Sequence, residues 1–201
     1  MIAIIDYGMG NLRSVSKALE YLGASYKLCS QGKDLARATK VILPGVGAFG
    51  DAMKELKSRG FINVIGGLVT HKIKLMGVCL GLQLFFEKSE ENPGVAGLGV
   101  FKGTVRKFRS KNVKIPHMGW NDLKVLKKHP LLEGIPNGEY FYFVHSYYGK
   151  PEAKSLTLAS CKYGREDFPA VVGNEHVFAT QFHPEKSQEA GLRILKNFIQ
   201  W

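Results

Sequence analysis

In the first half of the chain, 1–5 is a short apolar run without alternation, and 25–29, 40–43 and 73–78 are further short runs read as strands. Such runs are the pattern of parallel strands buried on both faces. Between them the apolar positions recur at helical spacing. Leu12, Val15, Leu19 and Leu22 form one stripe that ends at Gly23, a short helical stretch surrounds Leu35, and helical material runs from 51 to about 71 with an interruption at Gly60. A further amphipathic stretch, 82–88, follows the fourth run. Strands that alternate with helices predict a parallel sheet wound on both faces.

The second half reads as more β-like. Strands are predicted around 104–108 and 121–125, joined by a glycine-containing turn at 116–121, and again at 139–148, 156–161, 170–173 and 177–182. The 139–148 stretch alternates strictly, with Phe141, Phe143 and His145 on one face and Tyr140, Tyr142 and Val144 on the other. A last helix carries Leu192, Leu195, Phe198 and Ile199 on one side, with Ser187 as its expected cap.

Composition narrows the class. The 201 residues carry 45% hydrophobic and 22% charged side chains, as a soluble globular protein does. That length fits one domain spanning 1–201. No apolar run approaches the ~20 residues that a membrane helix needs, and the start of the chain lacks the basic region of a signal peptide. The expected location is the cytoplasm, with no membrane partner. Three widely spaced cysteines, Cys29, Cys79 and Cys161, suggest neither a disulfide framework nor a zinc site. No metal and no cofactor are expected.

The net charge of +11 raises the question of nucleic acid, most sharply at 102–114, where Lys102, Arg106, Lys107, Arg109, Lys111 and Lys114 occur with no acid. No nucleic-acid motif accompanies them. They alternate with Val105, Phe108 and Val113 as on the wet side of a sheet edge, so the reading is a solvated face or a docking surface for an acidic protein.

Candidate chemistry centres on Met76-Gly77-Val78-Cys79-Leu80-Gly81-Leu82-Gln83. An apolar strand enters a cysteine flanked at both second neighbours by glycine and leaves as a helix. This is the cysteine counterpart of a nucleophile elbow, whose strained turn lifts the nucleophile above the sheet and aims helix-start N–H groups at it. Alone, the pattern equally describes a buried cysteine at a strand end. Pro44-Gly45-Val46-Gly47, after the third strand, places flexible backbone at the carboxyl end of the sheet, where sites of open α/β proteins gather. An amide near Val46 can join that of Leu80 to hold an oxyanion. His183-Pro184-Glu185 follows the last strand. Pro184 keeps His183 extended, so side chains 183 and 185 are expected to project the same way and the carboxylate to orient the imidazole. His145 is read as a structural or substrate-lining group rather than the base.

These motifs resemble the class I (triad) glutamine amidotransferases. The finer matches, Asp6-Tyr-Gly-Met-Gly-Asn11, Pro116-His-Met-Gly-Trp-Asn121, Tyr142-Phe-Val-His145 and Gln181-Phe-His-Pro-Glu-Lys-Ser187, look like the glutaminase subunits of imidazole glycerol phosphate synthases, essentially end to end. The resemblance implies an α/β, flavodoxin-like open sheet, mostly parallel, with helices on both faces and added antiparallel strands. It implies that Cys79 attacks the side-chain amide of L-glutamine, that His183 and Glu185 complete a triad, and that Val46, Gly47 and Leu80 supply the oxyanion site. Gln83, Glu91, Ser146 and Tyr147 would hold the substrate, and Asn11, Met118, Trp120, Tyr142 and Lys186 would face a (β/α)₈-barrel cyclase in a heterodimer. Isolated, such a glutaminase would be nearly silent.

Two rivals remain open from the residues. A cysteine hydrolase with a similar elbow would place histidine directly after the cysteine, where this chain has Leu80. A non-catalytic subunit of the same fold would need no triad. Within the family, the ammonia could also serve another synthase, such as one that aminates a nucleotide sugar.

Overall fold

A computed structural model describes all of residues 1–201. Its centre is a nine-stranded sheet. Five strands are parallel and adjacent in the order β2 (Tyr26–Cys29), β1 (Ile2–Ile5), β3 (Lys40–Leu43), β4 (Lys74–Val78) and β12 (Val177–Thr180). Numbered within this parallel set alone the order is 2-1-3-4-5, the flavodoxin-like doubly wound arrangement. Four antiparallel strands extend the sheet beyond β12: β11 (Glu166–Gly173), β10 (Thr157–Tyr163), β7 (His117–Val125) and β8 (Glu139–His145). A second sheet joins β5 (Phe86–Ser89), β6 (Phe101–Lys107) and β9 (Tyr147–Pro151).

The unalternated runs are explained by burial on two sides. Ile2, Ile4, Ile42 and Met76 pack with α1 (Leu12–Tyr21) and α5 (Gln188–Gln200). Ala3, Ile5, Val41, Leu43 and Leu75 point the other way, onto α2 (Phe49–Ser58), α3 (Phe61–Thr70) and α4 (Leu80–Leu84). Each apolar strand thus feeds two cores of similar size, which is why no polar face shows in its sequence.

Several expectations are corrected. The stretch 82–88 is not one helix: α4 stops at Leu84, and β5 begins at Phe86 to pair with β6. Leu80 to Phe86 is buried on all sides, so no polar face holds a longer helix at the surface. Residues 116–121 are not a turn, because β7 already begins at His117 and pairs residue for residue with β8. The 139–148 strand is two strands in different sheets, broken at Ser146. Ser187 precedes α5 without capping it; its hydroxyl instead donates to His183 O at 2.6 Å and accepts from Tyr142 N–H at 3.0 Å. The basic strand β6 is the middle of its sheet, not an edge. Part of its charge is met locally, with Glu90 bonding Arg109 at 3.0 Å and Glu166 accepting from the Arg109 and Ser110 N–H groups.

The glycines around Cys79 are set by contact. A β-carbon on Gly77 would lie 2.7 Å from the Phe85 ring and 2.9 Å from the Gly81 carbonyl, and one on Gly81 would collide with the Leu43 carbonyl. Gly81→Ala is therefore expected to force β3 and α4 apart, costing about 1–3 kcal/mol. Urea unfolding of the two proteins checks this, and an unchanged midpoint would contradict it.

Candidate active site

Cys79 sits between β4 and α4 at φ 54°, one of three non-glycine residues with positive φ in the chain. Such a conformation persists only where its surroundings over-determine it. Its N–H donates to Thr180 O on β12 at 2.8 Å, while its carbonyl accepts from Leu82 N–H at 3.1 Å. The side chain is 5% exposed. Its sulfur opens on a cavity of about 350 Å³.

The candidate base arrives from the neighbouring strand. β12 pairs with β4 so that Thr180 lies beside Val78, and the chain passes Cys79 before turning at His183. His183 is extended, at φ −96° and ψ 99°, and Pro184–Lys186 form a 3-10 turn. That turn, rather than continued extension, brings Glu185 back under the ring, with Oε1 2.8 Å from His183 Nδ1. The two side chains are 2% and 1% exposed. With Nδ1 committed to the carboxylate, Nε2 is left buried without a hydrogen-bond partner, beside the sulfur. Burial by itself would lower the His183 pKa. The Cys79 sulfur beside the ring and the charge and hydrogen bond of Glu185 outweigh it, and the net shift is upward. The arrangement favours the protonated imidazole.

Of the other residues singled out by sequence, Val46, Gly47, Leu80, Gln83, Glu91, Ser146 and Tyr147 all line the cavity with Cys79 and His183. Gln83 Nε2 donates to Tyr147 O at 2.9 Å and to Gln181 Oε1 at 3.3 Å. Glu91 Oε2 accepts from Phe49 N–H at 2.8 Å, at the start of α2. Leu80 N–H does not face the cavity freely: it donates to Gly45 O at 3.4 Å. The glycine-rich loop therefore presents a carbonyl to the elbow. Four of the five residues expected at a partner surface share one outer face. Met118 and Trp120 are exposed on β7, Trp120 meets Tyr142 edge-on at 6.0 Å, and Lys186 Nζ stands 5.9 Å above the Tyr142 ring. Asn11 caps α1, its Oδ1 accepting from Ser14 N–H at 3.3 Å.

Two features escaped sequence reasoning, a glutamine at the sulfur and the histidine paired with His145, which itself lines the cavity as expected. Gln181 is fully buried, with Nε2 3.8 Å from Cys79 Sγ; its place two residues before His183 was the available signal. His117, paired with His145, is the second. Asn121 Nδ2, His117 Nε2 and Nδ1, His145 Nε2 and Nδ1, and Tyr147 O connect in sequence at 3.2, 3.1 and 2.8 Å. The ends settle the tautomers: Asn121 donates and the carbonyl accepts, so each ring is neutral and donates through Nδ1. Burial lowers His117 to about 4 and His145 to about 3. No group of three or more His, Cys, Asp or Glu side chains is arranged to hold a metal ion.

Comparison with known proteins now decides the family. The profile of the class-I glutamine amidotransferases matches residues 3–201. The chain belongs to the class-I glutamine amidotransferase family. Among curated relatives, it is 48% identical over 200 residues to the imidazole glycerol phosphate synthase subunit HisH of Methanocaldococcus jannaschii, covering 100% of this chain and 99% of the relative. It is 51% identical over 198 residues to the HisH subunit of Caldanaerobacter subterraneus, covering 98% and 97%. A solved glutamine amidotransferase superposes with a TM-score of 0.78 at 21% identity, covering 100% of this chain and 98% of that one. The structure of PurLQS from Thermotoga maritima gives 0.77 at 20%, covering 99% and 97%. At such identities the superpositions speak to the amidotransferase fold alone. No helix is long and apolar enough to cross a membrane.

The histidine pair in this amidotransferase carries a pH signature. Both rings are neutral in the fold, whereas in the unfolded chain they take up protons below about pH 6.5. Their contribution to stability is thus complete above that pH and is lost as pH falls through 6.5 towards 4 and 3. The slope approaches about 1.4 kcal/mol per pH unit for each ring. Urea unfolding between pH 7 and 4.5, with ring NMR of the folded protein, checks this. Titration of His145 near 6.5 in the fold would contradict it.

Proposed function

We propose that this chain is the glutaminase subunit of an imidazole glycerol phosphate synthase, working through Cys79, His183 and Glu185. The observation that carries the reading is the buried Glu185–His183 pair, with its free Nε2 beside a cysteine on a strained elbow. Cys79 Sγ attacks the side-chain amide carbon of L-glutamine. The C–N bond breaks as His183 Nε2 passes its proton to the departing nitrogen, giving ammonia and a γ-glutamyl thioester. Water then loses a proton to His183 and attacks the thioester, the C–S bond breaks, and glutamate leaves with the thiolate restored. Glu185 holds the ring in the tautomer that both steps need.

Glu91 is suited to the α-ammonium group of glutamine, since one carboxylate oxygen is held by Phe49 N–H and the other is left for the substrate. Gln83 fixes the Ser146–Tyr147 backbone along the opposite wall. The oxyanion falls to Leu80 N–H and to an amide of Val46 or Gly47. Because Gly45 O engages Leu80 N–H, the Gly45–Val46 peptide must turn before catalysis. Loss of one such donor costs roughly 10²–10³ in rate, so the subunit alone would be nearly silent.

The relatives are named as subunits, and the ammonia is consumed on another chain. A (β/α)₈-barrel cyclase that aminates a ribulosyl phosphate fits the aromatic face of Met118, Trp120 and Tyr142, flanked by Lys186. That surface has the anchor chemistry of an interface, and Asn11 would border it.

Cys79→Ala is expected to abolish product formation from glutamine in the assembled synthase while leaving formation from added ammonium intact. Loss of both activities would assign Cys79 to assembly. Wild-type glutamate release is expected to rise by roughly 10²–10³ when the cyclase and its substrate are added, and equal rates with and without them would exclude gating.

A further inference from the structure

Tyr7 is a buried polar side chain near the elbow that the mechanism above leaves without work. It closes the turn after β1, is 1% exposed, and its Oη has no hydrogen-bond partner. An orphaned buried hydroxyl is costly and calls for an explanation. Its position supplies one. A β-carbon on Gly45 would lie 2.5 Å from Tyr7 Oη, 2.9 Å from Leu80 Cβ and 3.2 Å from Gly81 N. The hydroxyl therefore stands against the residue whose carbonyl occupies the oxyanion amide of Leu80.

We propose that Tyr7 is a positioning residue that holds the catalytic form of the oxyanion loop, its hydroxyl donating to the Gly45 carbonyl once that carbonyl has turned away from Leu80 N–H. This rests on the glutaminase reading and on the turning of the Gly45–Val46 peptide. The proposal follows from counting partners in the two orientations. In the observed form the Gly45 carbonyl is satisfied by Leu80 N–H at 3.4 Å, a long and weak bond, and Tyr7 is left over. When the peptide turns, its carbonyl leaves that donor at a buried residue, where an unpaired acceptor would oppose the change. Tyr7 Oη is no more than about 4 Å from Gly45 Cα, one carbon–carbon bond beyond the 2.5 Å contact. A carbonyl oxygen carried by that same residue is within its reach. The turned form then satisfies both groups and frees Leu80 N–H for the substrate.

The hydroxyl is suited to donate. Burial first, and then the negative charge of Cys79, push its pKa upward, so it keeps its proton throughout the working range. Its ring belongs to the same core as Leu43, Phe49 and Leu80, so the donor is carried on a packed wall rather than on the glycine-rich loop.

The test compares wild type with Tyr7→Phe in the assembled synthase. The aldehyde analogue of glutamine forms a tetrahedral adduct with the thiol and so needs the oxyanion site; iodoacetamide alkylates the thiol without it. Expected for Tyr7→Phe are a kcat and an aldehyde affinity each lowered roughly ten-fold, the worth of one hydrogen bond. The KM for glutamine, the alkylation rate of Cys79 and the thermal midpoint are expected to stay unchanged. Unaltered kcat and aldehyde affinity would overturn the proposal. So would an equal fall in alkylation, which would place Tyr7 on the sulfur. If Tyr7→Phe does not fold, the ring Cζ resonance of labelled Tyr7 in wild type decides: it must shift on aldehyde binding, and an unmoved resonance overturns the proposal. A wild-type complex that releases no glutamate would instead bring down the glutaminase reading itself, and this proposal with it.

Discussion

The site depends on a steric constraint, the close passage of β4 and α4 around Cys79. Gly77 and Gly81 leave no room for a β-carbon, against Phe85, the Gly81 carbonyl and the Leu43 carbonyl. The chain can reverse within one residue only by placing Cys79 at positive φ. The bond from Cys79 N–H to Thr180 O then ties the elbow to β12, and the parallel register of β4 and β12 sets how far beyond the sheet His183 begins. Cys79 and His183 are thus placed by backbone pairing in the middle of a nine-stranded sheet, among the most rigid parts of such a fold. The glycine-rich loop after β3 belongs to the same edge and is held there by a weaker bond.

Electrostatic roles in the site follow from neighbours rather than from residue type. Three buried histidines lie near the cavity. His183 has a carboxylate on one nitrogen and a sulfur near the other, which raises its pKa despite burial. His145 and His117 have only a carbonyl, an amide and each other as hydrogen-bond partners, so burial prevails and they stay neutral. The first is fitted to move protons. The other two hold the backbone at Ser146 and Tyr147, where one strand ends and the chain enters the second sheet.

Legibility in the sequence tracked the range of the interactions. The parallel strands were readable because burial on two faces removes alternation locally. The elbow and the His-Pro-Glu segment were readable because each concentrates its chemistry within a few residues. The helix at 82–88 misled, since seven residues of mixed polarity satisfy helical and strand periods alike and only the pairing of β5 with β6 separates them. His183 and Glu185 met as expected, but through a 3-10 turn that the pattern does not announce. Tyr7 and Gln181 acquired meaning only from strand register, which sets Tyr7 against Gly45 and Gln181 against Cys79, 102 residues away, and the carbonyl that covers Leu80 N–H is a backbone orientation that no side-chain pattern encodes.

The central claim is that Cys79 is a nucleophile activated by a buried His183–Glu185 pair. Its most direct test is rapid-quench intact-mass analysis of the assembled synthase mixed with L-glutamine, followed by peptide mapping. The account predicts a transient γ-glutamyl adduct, confined to Cys79 and lost as glutamate appears. Steady glutamate release with no adduct, or an adduct on another residue, would contradict it.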